Sequence, residues 1–240
     1  MTLMISRLQR LVPCAMAVLL AACAPLTVPP QTEHPVGRAR LVLPAGEWQD
    51  LGRADTVAPG SDGRLTLETR AVGLRGAQGE WLAVLRVHTN RTGSWRGSAA
   101  GAGSCPAQRN VMVEDAAAGS AVRADCLRLK PWASSSRWLE QNRPDLVRWL
   151  ADRTLTLRQP YIFLSYRYAT EAGAWVDVDA LVDQRLVQPR ATNNMEFLAA
   201  GRPSLQWARD MAQSARLSVA MMDGQLAIPP FPFPTPSASR

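Results

Sequence analysis

One lysine, Lys130, and two histidines, His34 and His88, are present in 240 residues. So few imidazoles restrict histidine chemistry. A Ser/His/acid triad would have to use His88, because His34 falls in a proline-rich stretch, and no G-x-S-x-G elbow accompanies it. A zinc centre lacks ligands at suitable spacing. No P-loop is present, and no G-x-G-x-x-G opens a helix after a strand. The chain therefore implies no cofactor. It carries 27 basic against 20 acidic residues, for a net charge of +7, but no five or six like charges run together. All basic residues except Lys130 are arginines, as in a GC-rich genome, and nucleic acid is not an expected partner. No internal repeat is visible, and no apolar run reaches the roughly 20 residues that a membrane-spanning helix needs.

What is present begins at the N-terminus. Arg7 and Arg10 precede an apolar core from Leu11 to Leu20, and two small residues then stand before Cys23; this is the three-part layout of an export signal. Leu20-Ala21-Ala22-Cys23 resembles the lipobox of bacterial lipoproteins. The resemblance covers about the first 25 residues and implies cleavage before Cys23, whose thiol then carries a diacylglycerol. The implied partner is the lipid bilayer, held through acylated Cys23 by chains such as palmitate. In enterobacterial lipoproteins an Asp straight after the Cys retains the protein in the inner membrane. Ala24 stands there in this chain, so the resemblance favours the outer membrane, on its periplasmic face. An ordinary secretory signal cut at another small residue is the alternative.

Export bears on the remaining cysteines. With Cys14 in the signal and Cys23 lipidated, Cys105 and Cys126 are left as a pair in a compartment that permits disulfides. A disulfide between them is expected, because a redox or nucleophilic role lacks a C-x-x-C spacing.

The organisation read from composition is a signal peptide over 1–22, an acylated Cys and Pro-rich tether over 23–40, a single globular β-rich domain over 41–228, and a Pro/Phe-rich extended tail over 229–240. The fold class expected is α+β, predominantly antiparallel β in a sheet or sandwich, with a few short helices packed on it. Two hairpins carry that expectation. The first joins residues 64–74 to 80–90. Pairing Leu74 with Glu80 sets Glu68 against Arg86 and leaves His88 exposed or half-exposed. The second joins residues 161–170 to 174–183, pairing Tyr168 with Val176, Arg167 with Asp177 and Ser165 with Asp179. Apolar residues at helical spacing predict short helices near 135–142 and 144–152, capping the open face of the sheet, with Pro144 in a first turn. Further helices are expected over 192–200 and 203–215, followed by a hairpin of 217–222 with 225–228 around Asp223-Gly224.

One cluster invites chemistry. Asp177, Asp179 and Asp183 recur at strand spacing, so three carboxylates share a face. They read either as an outer face partly neutralised by Arg167 or as an acid/base or cation site. The first reading accompanies a non-catalytic envelope assembly, scaffold or accessory factor with an envelope protein as partner. The second accompanies a carboxylate-based envelope hydrolase or cation-dependent binding domain. No residue is singled out as catalytic and no metal is expected.

Overall fold

Apolar alternation in the two hairpins builds the centre of a seven-stranded sheet. The computed structural model describes residues 33–60, 63–91, 105–188, 193–220 and 224–234. The expected signal, Cys23 and the first part of the tether lie outside these. The strands are β1 Glu33–Val36, β2 Ala39–Val42, β3 Glu47–Gly60, β4 Gly63–Arg75, β5 Trp81–Asn90, β6 Met112–Asp115, β7 Ala124–Ala133, β8 Tyr161–Ala169, β9 Trp175–Asp183 and β10 Gln225–Ala227. The helices are α1 Arg137–Asn142, α2 Pro144–Ala151, α3 Gln184–Val187 and α4 Asn194–Ala220. Seven strands lie in the order β3-β4-β5-β9-β8-β7-β6, every neighbouring pair antiparallel. A smaller sheet runs β1-β2-β10, with β10 parallel to β2. This is the α+β class that the alternation implies.

The register of β8 with β9 is the expected one, Tyr168 opposite Val176, Arg167 opposite Asp177 and Ser165 opposite Asp179. That of β4 with β5 differs. Leu74 pairs with Ala83 in place of Glu80, and a bulge falls between Leu74 and Arg75. The wider turn closes through Gly76 N–H to Glu80 O and Gly79 N–H to Gly76 O. A slip of an odd number of residues exchanges which β4 residues share a face with β5. Arg86 therefore meets Ala71, His88 meets Thr69, and Glu68 faces Thr89. Every residue of β5 is buried, since the strand lies between β4 and β9. His88 is buried with it, contrary to the exposed or half-exposed position expected.

Each face of the large sheet has its own apolar core. On one, Val72, Leu85, Val178, Leu164 and Tyr166 pack against Leu41 and Leu226 of the small sheet and Trp207, Met211 and Ala215 of α4. On the other, Trp81, Val84, Leu181, Phe163 and Tyr161 lie under Leu139 of α1 and Leu146 and Leu150 of α2. The two short helices thus cap the sheet as expected, with Pro144 in the first turn of α2, where its missing N–H costs nothing.

Three expectations are corrected. The tether does not extend to residue 40, because Glu33–Val36 and Ala39–Val42 pair with each other and bury Val36, Ala39, Leu41 and Val42. The helices expected over 192–200 and 203–215 are one 27-residue helix, α4, with Pro203 inside it. That helix runs through residues 217–220, where a strand was expected, because Trp207, Ala208, Met211, Ala212, Ala215 and Val219 bury a helical stripe. Asp223 of the expected turn lies outside the described residues, and residues 225–227 pair with β2. The tail through Pro234 docks on its own domain. The Phe231 ring lies 6.4 Å from Trp48 and 5.3 Å from Trp207, and the Trp207 indole donates to Pro229 O at 3.0 Å.

Candidate functional site

Strand pairing assembles polar residues in two rows on the helix-bearing face. Ala71, Arg86, Asp179, Ser165 and Arg128 stand side by side across five strands, and Thr69, His88, Asp177, Arg167 and Cys126 form the next row. The rows continue the face that α1 and α2 cover with Leu139, Leu146 and Leu150. Polar residues of the helix junction reach into the first row.

Asp179 is 2% exposed. It accepts from Arg86 Nη2 at 2.8 Å and from Arg143 Nη2 at 2.6 Å, with a second contact from Arg143 Nη1. Arg86 Nη2 also donates to Asp145 Oδ2 at 2.8 Å, and Arg143 Nε donates to Asp145 Oδ1 at 3.2 Å. Two guanidinium groups and two carboxylates therefore balance. Burial pushes the Asp179 carboxyl up, but Arg143 and then Arg86 offset this and hold it well below the usual carboxylate range. Asp145 is likewise driven up by burial and down by Arg143 and Arg86, settling at about 2. Burial lowers the Arg143 guanidinium, which Asp179 and Asp145 raise above its ordinary value. A group locked in this way neither gives up nor takes a proton near neutral pH, so Asp179 is unsuited to general acid/base work.

In the next row, His88 Nδ1 lies 2.7 Å from Thr69 Oγ1. Burial is the largest influence on its imidazole and lowers its pKa, against the opposing pull of Asp177 and Asp179. Asp177 accepts from Arg167 Nη2 at 3.0 Å, the cross-strand pair that the spacing predicts. Asp183 stands apart from both. Its carboxylate caps α3 through the Arg185 N–H at 2.9 Å and takes the Arg185 side chain at 2.9 and 2.7 Å.

The three aspartates thus share a strand face, but each has its own arginine. The surface is not the solvated one expected, since Asp179 and Asp183 are both buried. Among the described residues, no group of three or more His, Cys, Asp and Glu side chains is placed to hold a metal ion. The sequence reading missed Arg143 and Asp145. Arg143 joins α1 to α2, its N–H bonded to Leu139 O and its carbonyl accepting from Val147 N–H. An acid in the first turn of a helix, as at Asp145, is a visible signal, but nothing local marks Asp179 as the partner of Arg143, 36 residues away.

Cys105 and Cys126 are bonded as a disulfide, with Cα atoms 5.7 Å apart. A cleft of about 310 Å³ beside it is lined by Cys105, Asp115, Ser120, Arg123, Asp125 and Cys126. Asp125 accepts from the Tyr166 hydroxyl at 2.9 Å and pairs with Arg216 at 3.2 Å. The cleft therefore offers no free carboxylate at Asp125. Among the described residues no helix is long and apolar enough to cross a membrane. No protein-family model, curated protein or solved structure matches the chain.

Proposed function

We propose that this chain is a bacterial lipoprotein anchored through acylated Cys23 in the outer membrane, facing the periplasm, and that it is a non-catalytic assembly, scaffold or accessory factor of the envelope. The observation that carries the reading is Leu20-Ala21-Ala22-Cys23 at the end of a short apolar core behind two arginines. Two or more acyl chains make an attachment long-lived where one is marginal. The Cys105–Cys126 bridge is consistent with an oxidising compartment.

The buried aspartates support the non-catalytic side of the proposal. A glycan-cutting carboxylate pair needs one group raised to act as an acid, whereas Asp179 is held low by two arginines and Asp177 is bound by a third. A scaffold needs a rigid domain at the end of a tether, and a sheet with a core on each face supplies one. The proposal is tested by metabolic labelling with a fatty-acid probe and membrane fractionation. Wild type should carry label and sediment with outer-membrane vesicles, while Cys23→Ser should lose both. Label persisting on Cys23→Ser would sink the anchor. Affinity capture of the acylated protein should then bring down an envelope protein.

A further inference from the structure

The outer edge of β3 is the longest strand edge of the sheet. Among the described residues β3 pairs with β4 alone, over Glu47 to Gly60. Its other edge presents backbone N–H and C=O groups to whatever lies beside it, and such an edge is a template for a further strand. Three features limit where a strand can add. A bulge sits between Asp50 and Gly52, the Gly52 N–H donates to Asp50 Oδ1 at 3.0 Å, and Pro59 lacks an N–H. The uninterrupted stretch is Arg53 to Ala58.

Charge within that stretch points to one occupant. Arg53 stands directly opposite Arg70 on β4, and Asp55 stands directly opposite Glu68. Like charges facing each other across strands are unfavourable. Arg53 is exposed, and no acid among the described residues forms an ion pair with it. Asp55 pairs with Arg91 Nη2 at 3.1 Å, but both side chains are more than half exposed, at 52% and 62%; such a surface pair is weak. Each residue is thus set against a like charge on β4, Arg70 being held by Asp50 at 2.7 Å and Glu68 sharing Arg91 with Asp55, and among the described residues no strand pairs with the outer edge. The complement of Arg-Ala-Asp read in the opposite direction is the same segment.

We propose that β3 pairs antiparallel with β3 of a second copy of this chain about a two-fold axis at Ala54. In that register Arg53 lies opposite the partner's Asp55 and Asp55 opposite the partner's Arg53. Gly52 lies opposite the partner's Thr56, and Pro59 falls outside the uninterrupted window. The interface is isologous, so it closes at two copies and joins two seven-stranded sheets edge to edge. It makes the chain a symmetric pair with or without the lipid anchor.

Two experiments on the full-length purified protein test it. An antiparallel partner residue on a two-fold axis has Cα atoms about 4.5–5.5 Å apart, within disulfide reach. Ala54→Cys should therefore give a covalent dimer under mild oxidation on a non-reducing gel. Gln49→Cys, exposed on the same strand but away from the axis, should behave as wild type. No dimer from Ala54→Cys, or equal dimer from Gln49→Cys, overturns the proposal. In sedimentation equilibrium Arg53→Asp should weaken self-association about tenfold, since two symmetric attractive pairs become repulsive. Adding Asp55→Arg to it should restore association by reversing both charges. A monomer at all concentrations for wild type, or a double variant no tighter than the single one, also overturns it.

Discussion

Replacing Arg143 with Met keeps an unbranched apolar stem against Phe163 and removes the guanidinium that holds Asp179 to the helix junction. The carboxylate of Asp179 is 1% exposed and is left with Arg86 alone, while Asp145 loses one of its two partners. Removing one partner of a buried ion pair costs about 3–5 kcal/mol, because a charge stays desolvated with too little to compensate it. Arg143 itself is 23% exposed, which places the expected loss at the lower end, about 3 kcal/mol. For a domain of this size about 2–4 °C is lost per kcal/mol, so Tm should fall by roughly 6–12 °C. Urea unfolding followed by circular dichroism at pH 7 measures the loss directly. The pH dependence gives an independent check. Asp179 has a folded-state pKa below its unfolded value of about 3.9. Its contribution is complete above that value and disappears as pH falls through the folded pKa. The gap between wild type and Arg143→Met should therefore narrow below about pH 4. A loss under about 0.5 kcal/mol at pH 7, or a gap that stays constant into acid, would refute the account of the cluster.

Two further substitutions probe the rest of the fold. At Gly73 an added Cβ would clash with the Trp81 ring and sit 3.1 Å from Leu51, and the Arg75 guanidinium lies over that ring, 3.7 Å from its centre. Gly73→Ala should destabilise by about 1–3 kcal/mol through overpacking and change the near-ultraviolet dichroism of tryptophan; a gain in stability would contradict the packing. At His88 the folded-state pKa is lowered by burial, so the unfolded chain binds a proton that the native chain refuses. Stability should then fall as pH drops below about 6.5, and His88→Gln should flatten that slope by up to about 1.4 kcal/mol per pH unit. Identical slopes would show that His88 is freely protonated in the folded chain.

The hairpin of β8 with β9 was legible because its turn is short and both faces carry consistent patterns, apolar on one and Arg167 with Asp177 on the other. That of β4 with β5 was legible as a hairpin but not in register. A five-residue turn and a bulge at Leu74 moved the pairing by three, and no local pattern distinguishes the alternatives when a central strand is buried on both faces. The Trp81 ring nevertheless lies against Gly73, because an aromatic ring is large enough to reach the glycine from a neighbouring position. In the same way, Ala208, Ala212 and Ala215 marked one side of α4, while its continuation to Ala220 depended on burial of Val219 against distant strands.

For the candidate site the division follows from distance along the chain. Strand spacing alone put Asp177, Asp179 and Asp183 on one face and paired the first with Arg167, since alternation is a property of the backbone. Whether those carboxylates were free depended on Arg143 and Asp145, from a helix junction more than 30 residues earlier, and on Arg86, 93 residues from Asp179. The sequence by itself determined the class of the fold, the paired faces of its second hairpin and the covalent partner of Cys105. Only the tertiary structure decided that the acidic face is closed by arginines, because ion pairing follows proximity in space and burial sets how tightly each charge is held.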